Sequence, residues 1–365
     1  MASETAKRIH RDLPVVDGHN DLPWKLRTLA DGDLDRFDPS DDLPDFHTDI
    51  PRMLAGGVGA QLWSVYVPAG IDDPFARTMA QIDLVERMVE RDERLALART
   101  GSEARAIRDG GRIASLLGAE GGHSMEGSLD KLNTLAERGV RYMTLTHSDT
   151  TEWADSATDE ARHGGLTPFG RDVVREMNRL GVLVDLSHVS VDTMRDAIDT
   201  SDAPVIASHS NSYALAPNPR NIPDDVLRAI GDGGGVVMSV FFSGFVVAET
   251  AQKVSKMFDD LRRLRDELGG DEAAVDAEFE RLQAEQDLDP GTVSDVVDHI
   301  EHIAEVAGID AVGIGSDFDG TFLTPQGLED VSCYPAVTDE LLGRGWAEHE
   351  IRKVLGENSL RVLGG

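Results

Sequence analysis

The chain has 365 residues, with 35 Lys and Arg against 67 Asp and Glu, and a formal net charge of -32 at pH 7. That length exceeds most single domains but suits one large barrel, and so acidic a surface excludes nucleic acid and anionic membrane as partners. The single cysteine, Cys333, excludes an intramolecular disulfide and a thiolate cluster. No apolar run approaches the ~18 residues a membrane helix needs. Met1 to Leu13 is polar with no apolar h-region, and the C-terminal Leu360 to Gly365 is too short for a lipid-anchor tail, so a cytoplasmic location is expected. Self-repulsion on this scale destabilises a folded chain unless salt screens it. The expectation is therefore a salt-rich, halophilic cytoplasm, with an ordinary acidic enzyme as the rival.

Taken in order, eight short β-branched or apolar runs recur, and most end in or near Gly, Asp, Glu, His or Ser. They are Val15–Asp17, Val58–Val67, Ile113–Glu120, Val140–His147, Val182–His188, Val205–His209, Val236–Val240 and Ala311–Asp317. Such runs suit parallel strands buried on both faces. Helical spacing fills the intervals at Phe75–Arg94, Leu129–Glu137, Gly170–Leu180, Val191–Ile198 (behind Ser190 as a candidate N-cap) and Asp224–Ile230. The alternation predicts an α/β fold, a (β/α)8 TIM-type barrel spanning residues 1–365 as one domain. A doubly wound sheet is the alternative, but no Gly-rich phosphate turn opens a helix, and Gly233-Gly234-Gly235 precedes a strand.

Residues 249–290 break the rhythm with a helical insertion after the seventh strand. Val254, Met257, Phe258, Leu261 and Leu264 mark one apolar face and Val275, Phe279 and Leu282 another, joined at Gly269-Gly270. Such a pair suits a cover over the active-site end, a contact with a second subunit, or a plain surface helix. Thr292–Ala307 then leads into the last strand, and Trp346–Leu355 forms a terminal helix closing on Asn358-Ser359-Leu360-Arg361.

In a parallel barrel, chemistry collects at the C-terminal ends of the strands. There the sequence places His19 and Asp21, Glu120, His147, His188, His209 and Asp317. On an extended strand the side chains at 19 and 21 share one face. Other histidines, such as His10, His47, His299 and His349, fall in loops or helices and are expected to be solvated. Even without His147, three histidines and two carboxylates exceed what one tetrahedral zinc needs with an open position. Two ions are expected, with Glu120 best placed to bridge them. None of the six lysines stands at a strand end, which disfavours a carboxylated-lysine bridge.

These residues sit in Val16-Asp17-Gly18-His19-Asn20-Asp21-Leu22-Pro23-Trp24, Gly118-Ala119-Glu120-Gly121-Gly122, Leu145-Thr146-His147, Asp185-Leu186-Ser187-His188 and Ser208-His209-Ser210-Asn211. Downstream follow Asn218-Pro219-Arg220-Asn221, Gly315-Ser316-Asp317-Phe318-Asp319-Gly320, Gly327-Leu328-Glu329-Asp330 and Asn358-Ser359-Leu360-Arg361. Nearly end to end, the chain resembles the membrane (renal) dipeptidase family of zinc peptidases. The resemblance implies a dipeptidase holding two Zn2+ per chain, with His19 and Asp21 on one, His188 and His209 on the other, and Glu120 between. It further implies that His147 and Arg220 contact substrate, that Asp317 carries a proton, and that the chain forms a homodimer.

The expected chemistry is hydrolysis of a dipeptide, including one with a C-terminal D-residue, by a metal-bridging hydroxide. Water shared by two zincs has its pKa lowered from roughly 15.7 toward ~7. His147 would help to stabilise the oxyanion, Asp317 would relay the proton, and Arg220 would clamp the terminal carboxylate. The alternative is a barrel hydrolase acting on N-acyl amino acids or lactones. Departures from the animal members are the absence of their signal peptide, anchor tail and disulfide cysteines. Asp149 stands where a cysteine is common, Phe242 where a tyrosine is frequent, and the 249–290 insertion is longer than usual.

Overall fold

The computed structural model describes residues 3–267 and 272–364. Eight parallel strands close into a barrel: β1 Val15–Asn20, β2 Val58–Ser64, β3 Ile113–Glu120, β4 Val140–Thr144, β5 Leu183–Asp185, β6 Ile206–Ala207, β7 Val236–Ser239 and β8 Val312–Ile314. Each pairs with the next, and β1 meets β8 through Asp17 and Ile314 to complete the ring. All eight expected strands are present. The later ones are shorter than expected, so His147, His188 and His209 stand just beyond the last paired residue.

A short further strand, Leu95–Leu97, pairs with Ile113–Ser115 of β3 before β4 takes over from Leu117. Three residues of graded exposure carry no readable period, which is why the sequence does not announce it. Inside the barrel, Val16, Leu62, Leu116, Tyr142, Ile206, Val236 and Met238 pack together, with Leu360 of the last helical segment and Leu363 just after it among them. Outside, Val15, Trp63, Leu117, Met143, Val184 and Val237 face the surrounding helices. That inward-outward alternation is the strand pleat at work.

The helices form where their caps allow. Ser190 accepts from the Thr193 N–H to open Val191–Thr200, and Thr167 with Pro168 opens Pro168–Leu180, which ends on left-handed Gly181. Two histidines correct the expectation of solvation. His10 is buried between the Gly56 carbonyl and the Thr338 hydroxyl, and His299 is buried between the Val246 carbonyl and the Ser212 N–H. Each lies on the inward face of its helix with both ring nitrogens bonded, which is what makes burial tolerable. The terminal Trp346–Leu355 helix is in fact Glu348–Arg352 followed by a wider turn at Lys353–Glu357, then Asn358–Val362.

The insertion is helical over Ala248–Glu267 and Glu272–Glu285, and the expected Gly269-Gly270 join lies outside the described residues. Val254 and Phe258 pack on Phe242 and Phe245 after β7 and on Leu323 after β8. The excursion therefore covers the loops at the C-terminal end of the barrel.

Candidate metal centre

Parallel strands all deliver their C-terminal ends to one mouth, and Glu120 closing β3 stands at its middle. Its Oε1 lies 3.4 Å from His19 Nε2, 3.8 Å from His147 Nε2, 3.1 Å from His188 Nε2 and 3.4 Å from His209 Nε2. The other oxygen accepts from the Ser64 hydroxyl at 3.1 Å. Asp21 Oδ2 is 3.3 Å from His19 Nε2. Every expected metal residue is thus in one cluster. His188 and Asp317 hold left-handed backbones, φ 69° and 66°, conformations costly to an ordinary residue and often met at functional sites.

The fields inside this cluster are opposed. Burial works to raise the Glu120 pKa, but His19, His147 and His188 outweigh it and hold the carboxyl well below its usual range. Burial pushes His19 down, but the Tyr142 hydroxyl with Glu120 and Asp21 holds it well above its usual range. His188 is driven well below by burial and then by Arg220 and His147. His209 follows, through burial and then His19 and Arg220. Burial, and then Asp21 and Glu120, raise Asp317 well above its usual range against the pull of His19 and Arg220.

The donor set fits divalent cations. His19 Nε2, Asp21 Oδ1 and His188 Nδ1 are buried without a hydrogen bond, and the His188 and His209 Nε2 atoms face each other at 2.9 Å. Buried nitrogens left this way are costly unless a ligand engages them. Three sets of donors converge closely enough to share an ion: His19, Glu120 and His209; Glu120, His147 and His188; His19, Asp21 and Asp317. Glu120 belongs to two of these sets, which join His209 to His19 and His188 to His147 rather than His188 to His209.

Beside the cluster, Arg220 is 2% exposed, yet no carboxylate among the described residues pairs with it. Its Nη1 reaches Ser210 Oγ at 3.5 Å, its Nη2 reaches the His209 carbonyl at 3.4 Å, and Nε has no partner. Burial lowers its pKa to about 10, so it stays charged at neutral pH. A buried cation with carboxylates near it but none paired to it is costly, and an anionic ligand end would relieve it.

A family model of the membrane dipeptidases (peptidase family M19) matches residues 3–365. The chain belongs to that family. This membrane dipeptidase relative also overlays solved structures. With the dipeptidase AC, a metallopeptidase, it shares 27% identity and a TM-score of 0.78 over 96% of this chain and 98% of the other. The probable dipeptidase PvdM from Pseudomonas aeruginosa gives 25% and 0.83 over 99% and 97%. A metallopeptidase from Rhodobacter sphaeroides, liganded with a phosphinate mimic of L-Ala-D-Ala, gives 27% and 0.76 over 96% and 98%. The protein is accordingly a hydrolase of the dipeptidase metallopeptidase class.

Sequence reasoning assigned the donors of this membrane dipeptidase relative but missed what orients them. His19 Nδ1 bonds the Tyr142 hydroxyl at 2.8 Å. His209 Nδ1 bonds Ser208 Oγ at 2.8 Å, and that hydroxyl in turn donates to Asp185 at 2.6 Å. Asp17 accepts from the Ser316 and Tyr334 hydroxyls at 2.7 and 2.6 Å, tying β1 to β8. Outer partners of this kind fix a ligand's tautomer and aim. Gly118 makes room for the Tyr142 ring, since a Cβ there would meet it at 2.0 Å.

Proposed function

We propose that the protein is a two-zinc dipeptidase. His19 and Asp21 hold one ion, His188 and His209 hold the other, and Glu120 bridges them. The observation that carries this reading is the convergence of four imidazoles on one Glu120 oxygen, at 3.1 to 3.8 Å. When bound, the ions supply Lewis acidity and an acidified water.

The chain's own residues do the rest. Arg220, buried beside the cluster without an acid partner, takes the substrate's terminal carboxylate in its planar fork. A clamp fixed beside the cluster admits a dipeptide and puts a longer peptide's carboxylate out of register. His147 faces the cluster at its edge and donates to the developing oxyanion. Asp317, on the far side next to Asp21 and His19, takes the proton of the attacking water and returns it to the leaving amine. A C-terminal D-residue is included among the substrates, in line with the L-Ala-D-Ala mimic bound by the Rhodobacter sphaeroides relative. A homodimer in the cytoplasm completes the proposal, and sedimentation and cell fractionation test those two parts.

Metal analysis with a panel of L,L and L,D dipeptides, N-acyl amino acids and lactones tests the activity. Two zincs per chain with dipeptide turnover is the expected result. Turnover confined to acyl amino acids or lactones overturns it. Arg220→Ala is expected to raise KM for dipeptides at least tenfold with zinc retained, and an unchanged KM removes the clamp.

A further inference from the structure

A chain of aromatic rings leads outward from Arg220. Its guanidinium carbon sits 5.1 Å from the Phe245 ring centre. Phe245 meets Phe242 edge-on at 4.7 Å, and Phe242 meets Phe322 at 5.0 Å. Phe322 then meets Phe279 of the helical insertion at 5.9 Å, and Phe279 stacks on Phe258 at 6.2 Å. Val254, Leu288 and Leu323 back this layer. Phe242 and Phe245 are buried, whereas Phe322 is 38% exposed, a large ring left facing solvent.

Phe322 is also close to the reacting centre along the chain. A Cβ on Gly320 would lie 2.2 Å from Asp21 Oδ2 and 2.6 Å from Asp317 Oδ1. Two residues span at most about 7 Å, so the Phe322 backbone stays at the barrel mouth. A carboxylate held by Arg220 places the adjoining Cα at the inner, Phe245 end of this layer, from which a long C-terminal side chain extends outward along the rings toward Phe322.

We infer that Phe322, propped by Phe242 and by Phe279 of the insertion, forms the subsite for the dipeptide's C-terminal side chain and selects bulky apolar groups. The inference rests on the Arg220 clamp proposed above and adds the substrate class. A Leu or Phe side chain laid on exposed rings removes apolar surface of both partners from water, a gain that glycine cannot make and aspartate opposes. The insertion then acts through Phe279 as a positioning element that never touches substrate.

The test compares kcat/KM for Ala-Leu, with L- or D-Leu, whichever is faster, against Ala-Gly on the full metal-loaded chain. The wild type is expected to favour Ala-Leu by about tenfold, the scale of one well-filled apolar contact. Phe322→Ala should bring that ratio near unity, and Phe322→Leu should keep most of it. Phe279→Ala should cut the ratio about threefold through KM for Ala-Leu, with kcat for Ala-Gly unchanged and Phe279→Leu restoring the preference. An equal or reversed wild-type preference, or a ratio unmoved by both Phe322→Ala and Phe322→Asp, overturns the subsite while leaving the dipeptidase reading intact. Metal-loaded enzyme that cleaves no dipeptide at all removes both.

Discussion

Glu120 carries the most contradictory environment in the molecule: buried, ionised and ringed by four imidazoles. If it bridges two ions, Glu120→Gln lowers zinc content and abolishes turnover together, whereas His19→Ala removes one zinc and leaves the His188/His209 site partly filled. Metal-to-protein ratios separate the two outcomes, and a fully active His19→Ala would overturn the assignment. Tyr142→Phe deletes only the hydroxyl on His19 Nδ1 and should weaken zinc retention about 10- to 100-fold in a chelator competition. An unchanged affinity would make that hydrogen bond incidental. The convergence of these donors was legible because parallel strands bring their ends together, so position along the chain translates into position in the cluster. Tyr142, Ser64 and Ser208 were not, because an orienting hydrogen bond leaves no spacing to read. The burial of His10 and His299 was hidden for a related reason: their partners lie far away, at Thr338 and Ser212.

Among the elements, strands were the readable class, since β-branched runs buried on both faces look alike wherever they occur. Leu95–Leu97 escaped because its three residues serve only as an edge patch on β3. The insertion was readable as helix, with a cover over the active-site end as one of three placements, but the contact of Phe279 with Phe322 crosses a sequence gap and left no signal. The loop after β8 is the tightest element at the mouth. Gly320 has no room for a methyl group next to Asp21 and Asp317. Gly320→Ala should therefore cost at least tenfold in kcat/KM while the melting temperature moves by only a few degrees, because the collision displaces site carboxylates rather than core side chains. Equal activity in the variant would show that the loop moves aside freely.

At the scale of the molecule, charge and burial respond to solution conditions in opposite ways. The -32 charge predicts a melting temperature that climbs from low to molar KCl, as the Debye length contracts to roughly 3 Å. A flat series would remove the halophilic reading. Acid acts through His10 and His299, both depressed to about 4 by burial from the ordinary 6.5. Folded, they stay neutral; unfolded, they take up protons once the pH drops below 6.5. Their contribution is complete above 6.5 and is lost as pH falls toward 4, by up to roughly 3 kcal/mol each. Melting between pH 7.5 and 5 should show that loss, and His299→Gln should flatten it. A variant slope equal to that of the wild type would exclude the effect.

The hydrogen bonds that join Asp17 to Ser316 and Tyr334 also have a temporal meaning. Residues near the start of the chain meet residues near its end, and Asp317 faces His19 only after that meeting. A chain made only as far as β1 offers a local His19–Asp21 pair, Glu120 to His209 arrive next, and Asp317 arrives only with β8. On the proposed reading, in which Asp317 carries the proton, the hydrolytic centre stays incomplete until the barrel closes and synthesis is essentially finished.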